Sequence, residues 1–294
     1  MVERNLEQAA RYFRRAASSQ PPYAPALYSY GYMILHGETG ELTEEQRIEE
    51  SERYYRMAAE QKFHHAVSGL GDLALMRAER LLKQPGAEAH IEEIVTELAA
   101  AIGYFDQAQQ TGSFWGPIKA AQFLDNPAYE PYREQALARA GLGEQTARSR
   151  WKQAVAMGNV FAMDELAMLD LRLGYIKEAQ ELLEQAAGMN YPNASYHLAR
   201  HFYGADGLQP DEGKYIRWLE KAAHDGSARA SLLLGRLALA ACDAAEPAEE
   251  KLRQQKLAVA WFRKAEEQNF SCFEKDVYEQ LRPFLQTPIF TMVK

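Results

Sequence analysis

The chain has 294 residues, 33 of them Lys or Arg and 41 Asp or Glu, for a formal net charge of −8. That acidic balance argues against a nucleic-acid protein, whose footprint is usually basic. No run approaches the roughly 18 apolar residues needed to span a membrane, while 47% hydrophobic residues suffice for a continuous core.

Taken in order, residues 5 to 20 predict a lone helix, "LEQAARYFRRAA", stopped by Pro21-Pro22. A first helix from Ala26 then leads through the turn "HGETGELTEEQ" into an acidic second helix ending at "RMAAEQ". From Ala66 a longer helix runs to about Leu82, breaks at "KQPGAEA", and is followed by a second one ending near Gln110. The stretch from Gly116 holds an insertion, "LDNPAYEPYREQALARAGLGEQ", with a short helical patch between its two helices. From Ala162 the two helices are joined with almost no turn, at "RLGYIKEA". Ala194 to Ala230 is the clearest unit: a helix with small Ala194 and Ala199, a turn at Gly204, Gly207 and Pro210, then a helix from Asp211 carrying Trp218-Leu219 and Ala222-Ala223, stopped at Gly226. The unit from Ala230 has an Ala/Glu-rich turn around Pro247, and "FEKDVYEQLRPFLQ" reads as a capping half-unit.

These units align on small residues at Ala26, Ala66, Gly116, Ala162, Ala194 and Ala230, with Phe273 at the last origin. Eight residues before the six later origins stand Ala58, Ala108, Ala154, Ala186, Ala222 and Ala265. Four before them stand Lys62, Gly112, Gly158, Asn190, Gly226 and Asn269, and all but the lysine suit a left-handed helix stop. Five after the origins come Gly31, Gly71, Ala121, Ala167, Ala199 and Gly235, where two helices must approach closely. Eleven before come Tyr55, Phe105, Trp151, Leu183, Leu219 and Phe262, large enough to fill the gap between units. Coincident columns of this kind predict stacked helix pairs. The expected architecture is a single all-α solenoid over 1–294, with a partial repeat at 1–25, six repeats over 26–272 and a cap at 273–294.

At these residues the chain resembles the Sel-one-like repeat family, a relative of the tetratricopeptide repeat. Ala194 to Ala223 meets its pattern closely, and "YRMAAEQ" and "WFRKAEEQN" match its second half. The origins, 40, 50, 46, 32 and 36 residues apart, depart from the family's regular spacing. The resemblance implies a right-handed superhelix of antiparallel helix pairs that holds another polypeptide, without enzymatic activity or cofactor. It implies a bacterial adaptor or regulator, or alternatively an immunity protein that neutralises a secreted effector toxin. The expected location is the cytoplasm, or the periplasm where an N-terminal signal has been removed.

No P-loop, nucleophile elbow, C-x-x-C pair or Gly-rich dinucleotide turn is present. Cys242 and Cys272 fall some 20 Å apart along parallel helices, too far for a disulfide, and are expected to be free thiols. The rival class is a hydrolase using carboxylates or the pair His197 and His201, spaced i, i+4. A closed metal site needs four ligands, and the column of His201 elsewhere holds Met33, Leu73, Phe123, Leu169 and Leu237, which reads as half-buried packing. His64-His65 reads as a solvated link. The expected partner site is the concave face of the first helices. It comprises Tyr28, Tyr32, His36, His65, Asp72, Trp115, Gln122, Asp125, Phe161, Asp164, Arg172, Asn193, Tyr196, Arg200, Tyr203, Arg229 and Arg236. Aromatics and arginines are the types enriched where interfaces concentrate their energy. The charge is divided, with aspartates early and arginines late.

Overall fold

A computed structural model describes residues 5–244, 246 and 248–268, and among them every regular element is helical. The chain divides into two compact units, one ending at Asn159 and one beginning at Val160. The first contains α1 (Leu6–Ala17), α2 (Ala24–Leu35), α3 (Glu44–Glu60), α4 (His64–Leu82), α5 (Ile91–Gln110), α6 (Trp115–Asp125), α7 (Glu130–Arg139) and α8 (Ala147–Ala156). The second contains α9 (Val160–Leu173), α10 (Ile176–Gly188), α11 (Pro192–His197), α12 (Glu212–His224), α13 (Ala228–Ala244) and α14 (Ala248–Glu267). Within each unit the helices pack mainly on near neighbours in the chain, except that the inserted α7 packs on α5 and α6 packs on α8; this local pattern is that of an all-α solenoid. Among the described residues no helix is long and apolar enough to cross a membrane.

Local chemistry fixes the helix ends. Asn5 caps α1 by accepting from the Gln8 amide at 2.8 Å, Thr43 and Gln46 form a reciprocal capping box on α3, and Asp211 accepts from the Lys214 amide at 2.9 Å to start α12. The stop column adopts the left-handed conformation at Gly112, Gly158, Asn190 and Gly226. Lys62 does so too, with φ of 60°, although its side chain gives no local reason for it. The column position therefore dictates the backbone even where the residue type does not favour it. Asn269, Cys272, Phe273 and the expected cap lie outside the described residues.

Packing follows the two remaining columns. A Cβ at Gly71 would lie 2.4 Å from the Phe105 ring, one at Gly235 2.3 Å from Phe262, and one at Gly31 2.9 Å from Tyr55. All three rings are fully buried or nearly so. Where the second helix offers the smaller Leu219, the first carries Ala199 and both enter one core cluster. Close approach thus explains the glycines in mid-helix, which would otherwise weaken the helix by about 1 kcal/mol each.

The insertion of the third unit forms a 3₁₀ turn at Pro127–Tyr129 followed by α7, which packs on α5. Its Leu137 and Ala136 join Ile94, Leu98 and Ile102 in the largest described core. The Tyr129 hydroxyl donates to Glu79 at 2.8 Å, and Arg139 reaches Glu92 and Thr96. Arg150 on α8 is buried, with Asp106 at 2.7 Å and with Gln109, Gln145 and Gln153 also accepting from its guanidinium. Cys242 is a buried free thiol.

Candidate functional site

In the first unit the expected face is aromatic and already balanced in charge. Tyr28 is half-buried, stacked on Tyr55 at 5.2 Å, with Phe63 and His65 within ring contact. His64 and His65 open α4 and lie half-buried against Phe63, so they belong to this ring cluster and not to a solvated link. Burial, then the neighbouring His64, holds His65 below the ordinary imidazole range. Tyr32 and His36 face one another on the exposed end of α2 at 4.2 Å. Asp72 is paired with the Lys119 ammonium at 2.9 Å, so its charge is matched from α6. Burial pushes the Asp72 carboxyl up, and Lys119 opposes that shift. Trp115, Gln122 and Asp125 are exposed along α6.

In the second unit Phe161 is half-buried and Arg172 and Asn193 are exposed. Asp164 is 2% exposed and is held by His197 Nδ1 at 2.8 Å. Its side chain is spent inside the helix stack, on His197. Tyr203 is also buried, bonded through its hydroxyl to Gln180 with Lys214 over its ring. The physical reason lies in the helix itself. After α11 the chain continues as a π-helical turn over Leu198–Tyr203, closed by the Gly204 amide donating to the Ala199 carbonyl at 2.8 Å. The wider turn delays the register by nearly a residue. Leu198 and Ala199, then Phe202 and Tyr203, go inward, and Arg200 and His201 come out side by side. His201 is therefore exposed, unlike the packing residues of its column in the other repeats.

The segment after the π turn folds back on it. The amides of Leu208, Gln209 and Asp211 donate to the carbonyls of His201, Phe202 and Tyr203 at 2.7 to 3.1 Å. A Cβ at Gly207 would stand 2.6 Å from the Phe202 carbonyl oxygen, so the return needs glycine there. Carbonyls left over by the π geometry are thus satisfied within the turn.

Three arginines remain on the exposed side of the first helices: Arg200, and on α13 Arg229 and Arg236, two helical turns apart on one face. Among the described residues none of the three has an acidic side chain within ion-pair distance. Half-buried Tyr196 lies on α11, and Tyr215 stands beside Arg200 from α12. Burial raises the Tyr215 hydroxyl pKa, and the Arg200 guanidinium pulls against that rise. Tyr215 is a second-helix residue that a reading confined to first helices misses. The signal for His201 was in the sequence: a polar ring in a column otherwise apolar. Among the described residues no three His, Cys, Asp or Glu side chains are grouped to hold a metal ion.

A model of the Sel1 repeat matches residues 1–20, 24–63, 192–227 and 250–270. The span between, 64–191, holds the long α5, the inserted α7 and the two-residue turn between α9 and α10. No curated protein matches the chain. Among solved structures, a Sel1 repeat protein from Oxalobacter formigenes is similar with a TM-score of 0.51 at 18% identity, over 86% of this chain and 98% of its own. A protective antigen present in uropathogenic Escherichia coli strains, displaying an SLR fold, has a TM-score of 0.37 at 19% identity, over 94% and 74%. An immunity protein from Pseudomonas aeruginosa has a TM-score of 0.44 at 16% identity, over 92% and 87%.

Proposed function

We propose that the chain, which carries Sel1 repeats, a scaffold whose general role is to hold other proteins, binds an acidic polypeptide segment on the first helices of its second unit. The observation that carries this reading is the set Arg200, Arg229 and Arg236, exposed and with no acidic partner among the described residues, in a chain of net charge −8. Exposed arginines without a carboxylate partner are poised to bind one in bidentate, charge-assisted pairs. Tyr196 and Tyr215 supply apolar area beside Arg200. The aromatic surface of Tyr28, Tyr32, His36 and Trp115 remains a candidate contact area of the first unit, which offers rings but little unmatched charge.

The test is fluorescence anisotropy with a short fluorescein-labelled peptide of alternating Asp and Tyr, against a matching Lys and Tyr peptide. Binding of the acidic peptide should weaken by roughly tenfold or more in the double variant Arg200→Ala and Arg236→Ala, from the loss of two charge-assisted contacts. The melting temperature should stay unchanged, since both side chains are exposed. Equal affinity of wild type and double variant would remove the arginine face from the argument. Affinity capture from the source lysate then separates the two roles such a face can serve. One stoichiometric protein retained at high salt favours an immunity function, and several weak, salt-sensitive ones an adaptor.

A further inference from the structure

The π turn has a chemical consequence for this face. In a continuous α-helix the position of His201 would be turned toward the core, as Leu73, Phe123 and Leu169 are in their repeats. The wider turn places it in the open beside Arg200, with its ring 5.8 Å from that of His197. His197 is anchored by the buried Asp164 carboxylate at 2.8 Å, so the inner ring of the pair is fixed and the outer one is presented. We propose that His201 is a further contact residue for the acidic guest and engages it as the imidazolium, so that guest affinity rises as the pH falls. This rests on the arginine-face reading above and adds a proton to it.

The groups around His201 account for the direction. On its own element stand His197 and Arg200, and Asp164 faces the pair from α9. From α12, Tyr215 reaches Arg200 and Lys214 lies over Tyr203, while α10 contributes the neutral amide of Gln180. In the empty protein burial, then His197, then Arg200, hold His201 below its ordinary value of 6.5, against a smaller opposing pull from Asp164. A guest carboxylate supplies the negative charge this position lacks and raises the His201 pKa in the complex. Binding therefore takes up a proton. Tightening begins as the pH falls through the pKa of the complex and is complete below that of the free protein. Aspartate carboxylates of the guest stay ionised throughout, since they titrate near 3.9.

The Asp and Tyr peptide is titrated against wild type and His201→Gln between about pH 8 and about pH 5.5, a range that spans ordinary histidine titration. Wild type should bind roughly fivefold tighter at the acid end, the size expected of one exposed charge-assisted contact. His201→Gln should bind the peptide with no pH dependence across that range. Proton NMR of the His201 ring should show its titration moving to higher pH when peptide is added. Binding that is flat with pH in wild type overturns this inference alone, as does a His201→Gln profile that still tightens fully. Absence of peptide binding by wild type at every pH overturns the arginine-face reading and this inference with it.

Discussion

A single methyl group is the scale at which the repeats are most sensitive. Gly71 lies against Phe105 with no space for a side chain, so Gly71→Ala must displace a fully buried ring. The gain in helix propensity, about 1 kcal/mol, works the other way. Overpacking prevails because the contact distance of 2.4 Å is far inside van der Waals range. A net loss of roughly 1–3 kcal/mol in urea unfolding is expected. Charge can be argued as closely at Glu52, which is bridged by both Arg56 and Arg77. Burial pushes its carboxyl up, but the two guanidiniums outweigh that and hold it below its usual 4.5. A carboxylate lowered in this way contributes stability that is present above its unfolded pKa and lost as the pH falls through the folded one. Glu52→Gln should therefore flatten the acid limb of stability below about pH 5, as read by thermal denaturation across pH.

Elements are joined by contacts of unequal worth. Arg150 is 4% exposed and binds Asp106 together with three glutamines, which ties α8 to α5. Arg150→Ala would strand a partly buried carboxylate and should cost about 2–4 kcal/mol. Arg139, which holds α7 to α5 through Glu92, is 40% exposed against 80% for its partner. Its replacement by Ala should change unfolding free energy by less than about 1 kcal/mol. Helix order, most ends and the stop column were readable in the sequence, because caps, glycines and apolar spacing act over a few residues. The α9–α10 turn, Gly174–Tyr175, shows it well: "RLGYIKEA" leaves no room for more. The π turn was not readable, because it depends on where the amides of Leu208, Gln209 and Asp211 return in space. Two site assignments changed with it, Tyr203 inward and His201 outward. The pairing of Asp72 and Asp164 was hidden for a related reason: their partners, Lys119 and His197, come from neighbouring helices, and one helix's periodicity does not reveal them.

Across the molecule, protection should track the distribution of buried side chains within each unit. In the first, α5 buries Ile94, Val95, Leu98, Ala101, Ile102, Phe105 and Ala108, whereas α1 buries only Ala17. Hydrogen exchange should find the α5 amides slowest in that unit and those of α1 among the fastest; equal rates would show that burial does not order the local openings. The glycine and ring columns also bear on inheritance. Because Phe105 fills the space that Gly71 leaves empty, a chain weakened by Gly71→Ala should be rescued by Phe105→Leu, in the register that already pairs Ala199 with Leu219. Second-site suppressors selected for restored folding should therefore fall at the facing position of the same repeat. Each helix pair would then drift as a linked couple, which lets repeats diverge in sequence while the stack is kept.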